Sequence, residues 1–213
     1  VSSPTDGLWR RWTVATAAGE TAGFLVPATV AVLLPGGAGD GIRLVVFVAA
    51  GGVEGAILGY AQSRVLRSAL GWPVGGAWIA RTAAAAAAAW TIGMAPSVFW
   101  DSLSRLPIAV SGALAVVGGV LLLASIGVAQ WSVLRHHVRG SAQWVGWNAL
   151  AWVAGLGLFT LVTTPLWHPG QNGVATALIG AVGGALMAVT VGAVTGLGLV
   201  RLVSREPAGA AVR

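Results

Sequence analysis

Long apolar stretches recur from one end of this chain to the other, and each is of the length that a helix needs to cross a bilayer, about 20 residues. Six such stretches are read, at roughly 13–34, 43–66, 76–99, 106–134, 142–166 and 173–203. Between them lie GGAGDG, SALGWPVG, DSLSR, HHVRG and HPGQNG, all rich in glycine, proline or small polar turn formers. Connections this short predict antiparallel neighbours. Only 8% of residues are charged and the mean hydropathy is +0.83, against about 25% charged in soluble domains. The expected fold class is an all-α membrane protein with six transmembrane helices. A cleaved signal peptide is not expected, because apolar segments continue to the end.

The chain reads as a single transmembrane domain over 1–213, with residues 206–213 as a disordered tail. All twelve basic residues are arginines. Arg10, Arg11, Arg64, Arg67, Arg81, Arg135, Arg139, Arg201, Arg205 and Arg213 fall on one side of the predicted spans, and Arg43 and Arg105 on the other. The positive-inside rule then puts both termini in the cytoplasm of a multi-pass cell-membrane protein. Arginines scattered at helix ends form no basic face for nucleic acid. Without cysteine there is no disulfide or thiolate ligand, and without lysine no Schiff base.

An internal repeat is legible. GYAQSRVLR at 59–67 matches GVAQWSVLR at 127–135, with a fainter echo in GLGLVRLVSR at 196–205. Gln62 and Gln130 are 68 residues apart, and Leu199 follows 69 later. On the preceding helices Trp9, Trp78 and Trp144 align, as do Thr13, Thr82 and Asn148, and Pro27 with Pro96. The pattern predicts three tandem two-helix hairpins, about 9–67, 78–135 and 144–205, with pseudo-threefold symmetry. Glycines at four-residue spacing, among them Gly51, Gly55, Gly59, Gly119, Gly192 and Gly196, would let helix backbones approach closely.

Residues that break the repeat are the candidates for function. Glu20 aligns with Ala89 and Gly155, and Glu54 with Leu122 and Val191, so both intramembrane acids belong to the first hairpin. A carboxylate at hydrocarbon depth costs several kcal/mol unless it is paired, protonated or facing a cavity. One reading pairs Glu20 with Arg81, which stands where Trp12 and Trp147 align, as a structural lock between the first and third helices. It leaves Glu54 without a partner, and an apolar pocket would keep that carboxyl neutral and ready to donate a proton. Asp101, beyond Trp100, is a third candidate acid, although a helix-end role suits it better.

Eleven tryptophans are the second anomaly. Trp9, Trp12, Trp72, Trp78, Trp100, Trp144 and Trp167 lie near span ends, as an interfacial belt would have them. Trp90 and Trp152 do not. With Phe24, Phe47, Tyr60 and Phe159 they are candidates to line a cavity whose ring faces stabilise a cation, and Trp12, Trp147, Gln62 and Arg81 complete the candidate substrate contacts. Gln62 and Gln130 also read as interhelical hydrogen-bonding residues. The adjacent His136 and His137 point apart and have no third ligand nearby, so no metal site is predicted.

A small bundle with intramembrane acids and aromatic walls suits protonation of an alkene or epoxide. In size, in Glu20 and Glu54, and in its tryptophan richness the chain resembles the small integral-membrane terpene cyclases of bacterial indole-terpenoid and meroterpenoid pathways. The resemblance implies essential acids in a helical bundle, a lipophilic isoprenoid substrate entering from the bilayer, and no metal or other cofactor. Glu54 would then be the general acid, with Glu20 orienting it or recovering the proton. The alternatives are a small proton-coupled transporter using the same acids and a non-catalytic subunit of a membrane complex.

Overall fold

A computed structural model describes residues 4–205. The predicted tail at 206–213, with Arg213, lies outside them. The described chain is all helical: α1 (Pro4–Leu33), α2 (Asp40–Leu70), α3 (Gly75–Val98), a single-turn α4 (Trp100–Leu103), α5 (Ile108–Leu134), α6 (Gln143–Leu166) and α7 (Gly173–Val203). The turns carry the chemistry that ends a helix. Gly71 closes α2 in the left-handed region at φ 69°, its N–H bonded back to the Arg67 carbonyl and the next N–H, of Trp72, to the Leu66 carbonyl. Asn172 opens α7 by accepting from the N–H of Ala175 at 2.8 Å.

Five helices are long and apolar enough to cross a membrane: α1 from Gly7, α2, α5, α6 and α7. Here the structure differs from the six spans expected. The third stretch does form a 24-residue helix, α3, but it carries Arg81 and Pro96 within its length, and these offset its apolar run. DSLSR, expected as a plain loop, contains part of the short helix α4.

The six long helices form a closed ring. Each packs on the next in chain order, α1 on α2, α2 on α3, α3 on α5, α5 on α6 and α6 on α7, and α7 returns to α1. Glycines set the closest approaches. A Cβ at Gly55 would sit 2.8 Å from the Thr82 carbonyl oxygen of α3, and one at Gly192 2.8 Å from the Thr13 carbonyl oxygen of α1. Gly119, expected to act likewise, has no neighbour within 4 Å. The outward faces are apolar, with Val14, Leu25, Val116, Leu161 and Leu178 exposed. Such a surface is matched by lipid and not by water.

One end of the ring is solid. Trp12, Trp78 and Trp144 are fully buried and meet one another, with ring centroids 6.3 Å (Trp12–Trp78), 5.7 Å (Trp12–Trp144) and 6.2 Å (Trp78–Trp144) apart. They are spaced by 66 residues, so Trp12, and not Trp9, is the companion of Trp78 and Trp144. Nor are these three part of an interfacial belt. Each indole N–H needs an acceptor when buried, and the neighbouring helix supplies it: Thr195 Oγ1 for Trp12 at 2.9 Å, Gln62 Oε1 for Trp78 and Gln130 Oε1 for Trp144, both at 3.1 Å. Thr195 thus does on α7 what the glutamines do on α2 and α5, four residues before Leu199, the position that the repeat aligns with them. Gln130 also donates to Gln62 Oε1 at 2.9 Å and to Thr82 Oγ1 at 3.2 Å, and Gln62 donates to Thr16 Oγ1 at 3.3 Å.

A candidate active-site chamber above the tryptophan floor

Glu20 follows Trp12 by eight residues on α1, and Glu54 precedes Gln62 by eight on α2. Because the two helices run in opposite directions, both acids arrive at the same height, about 12 Å above the floor. There the ring encloses a chamber of about 340 Å³ to which all six long helices contribute. Its wall includes Glu20, Glu54, Phe24, Trp90 and Trp152 together with Leu122, Leu156 and Met187. Phe24 and Leu156 are each 40% exposed, so the chamber is open away from the floor.

The two carboxyls are held differently. Glu54 is buried, and its Oε2 accepts the Trp90 indole N–H at 2.8 Å. Two contacts fix that pair: Phe47 stacks on Trp90 with centroids 5.6 Å apart and planes at 16°, and Gly51 leaves the space that the indole fills, since a Cβ there would overlap it. Gly23 on α1 lies against the Glu54 backbone, where a Cβ would come within 2.9 Å of its carbonyl oxygen. Glu20 is 2% exposed, and among the described residues its carboxyl has no hydrogen-bond partner. It faces the chamber.

The expected lock between Glu20 and Arg81 does not form. Arg81 is exposed and borders a groove on the outside of the ring between α3 and α5, with Leu121 and Ser125. The reason is register: at the 66-residue spacing of the tryptophans, Arg81 matches Ala15 and Trp147, both set off from the axis. Tyr60 is also outside, its hydroxyl accepting from Arg64 at 3.3 Å. Asp101 is exposed on α4, remote from the other acids. Phe159 packs behind Met187 against Gly183, and Trp147 lies under the Arg201 guanidinium, 4.7 Å from ring centroid to Cζ. Trp12 and Gln62 belong to the floor. Of the candidates, then, Glu20, Glu54, Phe24, Trp90 and Trp152 meet at one chamber, with Phe47 supporting it.

Leu122 and Met187 are wall residues outside the expected set, although the repeat aligns Leu122 with Glu54. The signal was the glutamine spacing: each lies eight residues before the residue that accepts a floor tryptophan, as Glu54 does. Between His136 and His137, the second stacks on Trp72 with centroids 5.6 Å apart, away from the chamber. No protein-family model matches this chain, and neither a curated protein nor a solved structure does.

Proposed function

We propose that the protein is an integral-membrane, acid-initiated cyclase of lipophilic prenyl chains, an isomerase that works inside the bilayer. The observation that carries the reading is the meeting of two buried carboxyls with three aromatic rings in one otherwise apolar chamber. Its volume, about 340 Å³, lies within the ~300–1,000 Å³ typical of small-molecule sites. In this reading α3 is a sixth span, the helices are three hairpins about a pseudo-threefold axis, and both termini are cytoplasmic. The 66-residue spacing of the floor tryptophans and the closed ring support that arrangement.

The Glu54 carboxyl donates its proton to the terminal alkene carbon, or to the oxygen of a terminal epoxide. Its Oε2 is occupied by the Trp90 N–H, which leaves the other oxygen to carry the proton. The chain's own π electrons close the ring onto the cation so formed, while the faces of Trp90, Trp152 and Phe24 stabilise the moving charge. The carboxylate left on Glu54 takes the proton of Glu20, and Glu20 replaces it with one from the carbon beside the final cation, so both acids end protonated as they began. Nothing is lost or gained overall.

The test is incubation of membranes carrying the protein with a farnesylated indole and its terminal epoxide. Run in D₂O, alkene cyclisation should place one deuterium in the product. Glu54→Gln should reduce product at least about 100-fold. Full cyclisation by both Glu54→Gln and Glu20→Gln would end the proposal. The open rim at Phe24 and Leu156 favours a second reading, proton-coupled transport, which predicts pH-gradient-driven uptake into proteoliposomes and no new product.

A further inference from the structure

The chamber contains an unbalanced pair of acids. Every arginine of the described residues is exposed except Arg43, which is half-buried and tied to the carbonyls of Ala38 and Gly36 in the loop between α1 and α2. None reaches the chamber wall. Glu20 has no protein partner there, and Glu54 has a single neutral donor on one oxygen. The remaining walls offer ring faces and aliphatic side chains.

We infer that the chamber binds a hydrophobic organic cation, a substituted ammonium with an aryl or short alkyl arm, with Glu20 as its counter-ion and the faces of Trp90, Trp152 and Phe24 around its charge. A quaternary ammonium has no N–H to satisfy, which suits walls that hold few acceptors, and its diffuse charge is the kind that aromatic faces attract. Binding is an exchange: the cation enters, one carboxyl proton leaves, and the charge of the site is unchanged. Glu20 and Glu54 are the titratable groups of the wall; α3, α5, α6 and α7 contribute only alanine, glycine, methionine, leucine, isoleucine and tryptophan to it. The inference rests on the chamber and not on the reaction proposed there, so a protein that turns over no prenyl substrate would still show it.

The test is calorimetric titration of the full chain in a neutral maltoside detergent with benzyltrimethylammonium, set against neopentylbenzene, its uncharged carbon isostere. Saturable one-to-one binding of the cation is expected, at least about tenfold tighter than the hydrocarbon. Buffers of different ionisation heat should report about one proton released per cation, and affinity should rise with pH. Glu20→Gln should weaken binding at least about tenfold, while Asp101→Asn, remote from the chamber, leaves it unchanged. Equal affinity for cation and hydrocarbon, or binding by the wild-type chain without proton release, would overturn the inference whether or not the variants fold.

Discussion

The indole N–H of Trp90 donates to Glu54 Oε2 across 2.8 Å, and so a residue of α3 fixes the direction of an acid on α2. Trp90→Phe keeps the ring and removes the donor. Product formation should fall roughly tenfold, about 1.4 kcal/mol, for one hydrogen bond to a carboxyl. The comparison to make is with Phe47→Leu, which removes the stacking partner and keeps the bond.

Gly51 and Gly119 should respond in opposite ways to the same change. Alanine at 51 runs into the Trp90 indole, so Gly51→Ala should cost about 1–3 kcal/mol through overpacking. Gly119 has open space around it, so Gly119→Ala should be neutral or stabilise by about 0.5–1 kcal/mol through helix propensity. Thermal unfolding in detergent micelles measures both.

Gln130 is the hub of the floor, bonded to Trp144, Gln62, Thr82 and, at 3.4 Å, to the Asn148 amide. Gln130→Leu strands buried donors and should cost about 2–3 kcal/mol. Asn148 carries the opposite lesson. Its Oδ1 is buried with no hydrogen-bond partner, at the position where α1 and α3 have Thr16 and Thr82. Asn148→Thr removes that acceptor and should raise the unfolding temperature by a few degrees, consistent with about 1 kcal/mol.

His137 gives a pH dependence outside the spans. Burial against Trp72 pushes its imidazole below the ordinary value, and neighbouring His136 adds to the effect. The fold therefore favours the neutral ring. Stability is fully present above the unfolded value of about 6.5 and is lost as pH falls toward the lowered folded one. His137→Phe should flatten the dependence of the unfolding temperature on pH below about 6.5.

Helix positions and short connections were legible because apolar length and turn residues are local properties. The two acids were legible for the same reason, since a carboxyl in a span is expensive wherever the helix points. What the sequence did not reveal was which tryptophans meet. Trp9 and Trp12 both sit at the start of α1, and a ring at a helix end suits a headgroup layer as well as a bundle axis. Only the acceptor on the adjacent helix decides: Trp12 finds the Thr195 hydroxyl, whereas Trp9 bonds the Ala193 carbonyl from a half-buried position. Matching Trp9 in place of Trp12 moves the register by three residues, nearly one turn, and sets Arg81 level with Trp12, where a bond to Glu20 is expected. The alanine run of α3 shows a different limit. Its small side chains make the close contact with Gly55 and Gly59 possible, a packing role that an apolar run does not announce.

The return of α7 to α1 has a consequence for the order of the polypeptide. Where the first and last helices are neighbours, the sequence has no topologically privileged starting point. A circularly permuted gene, with a flexible peptide joining the end of α7 to the start of α1 and new ends opened at Gly71–Pro73, should still assemble the ring.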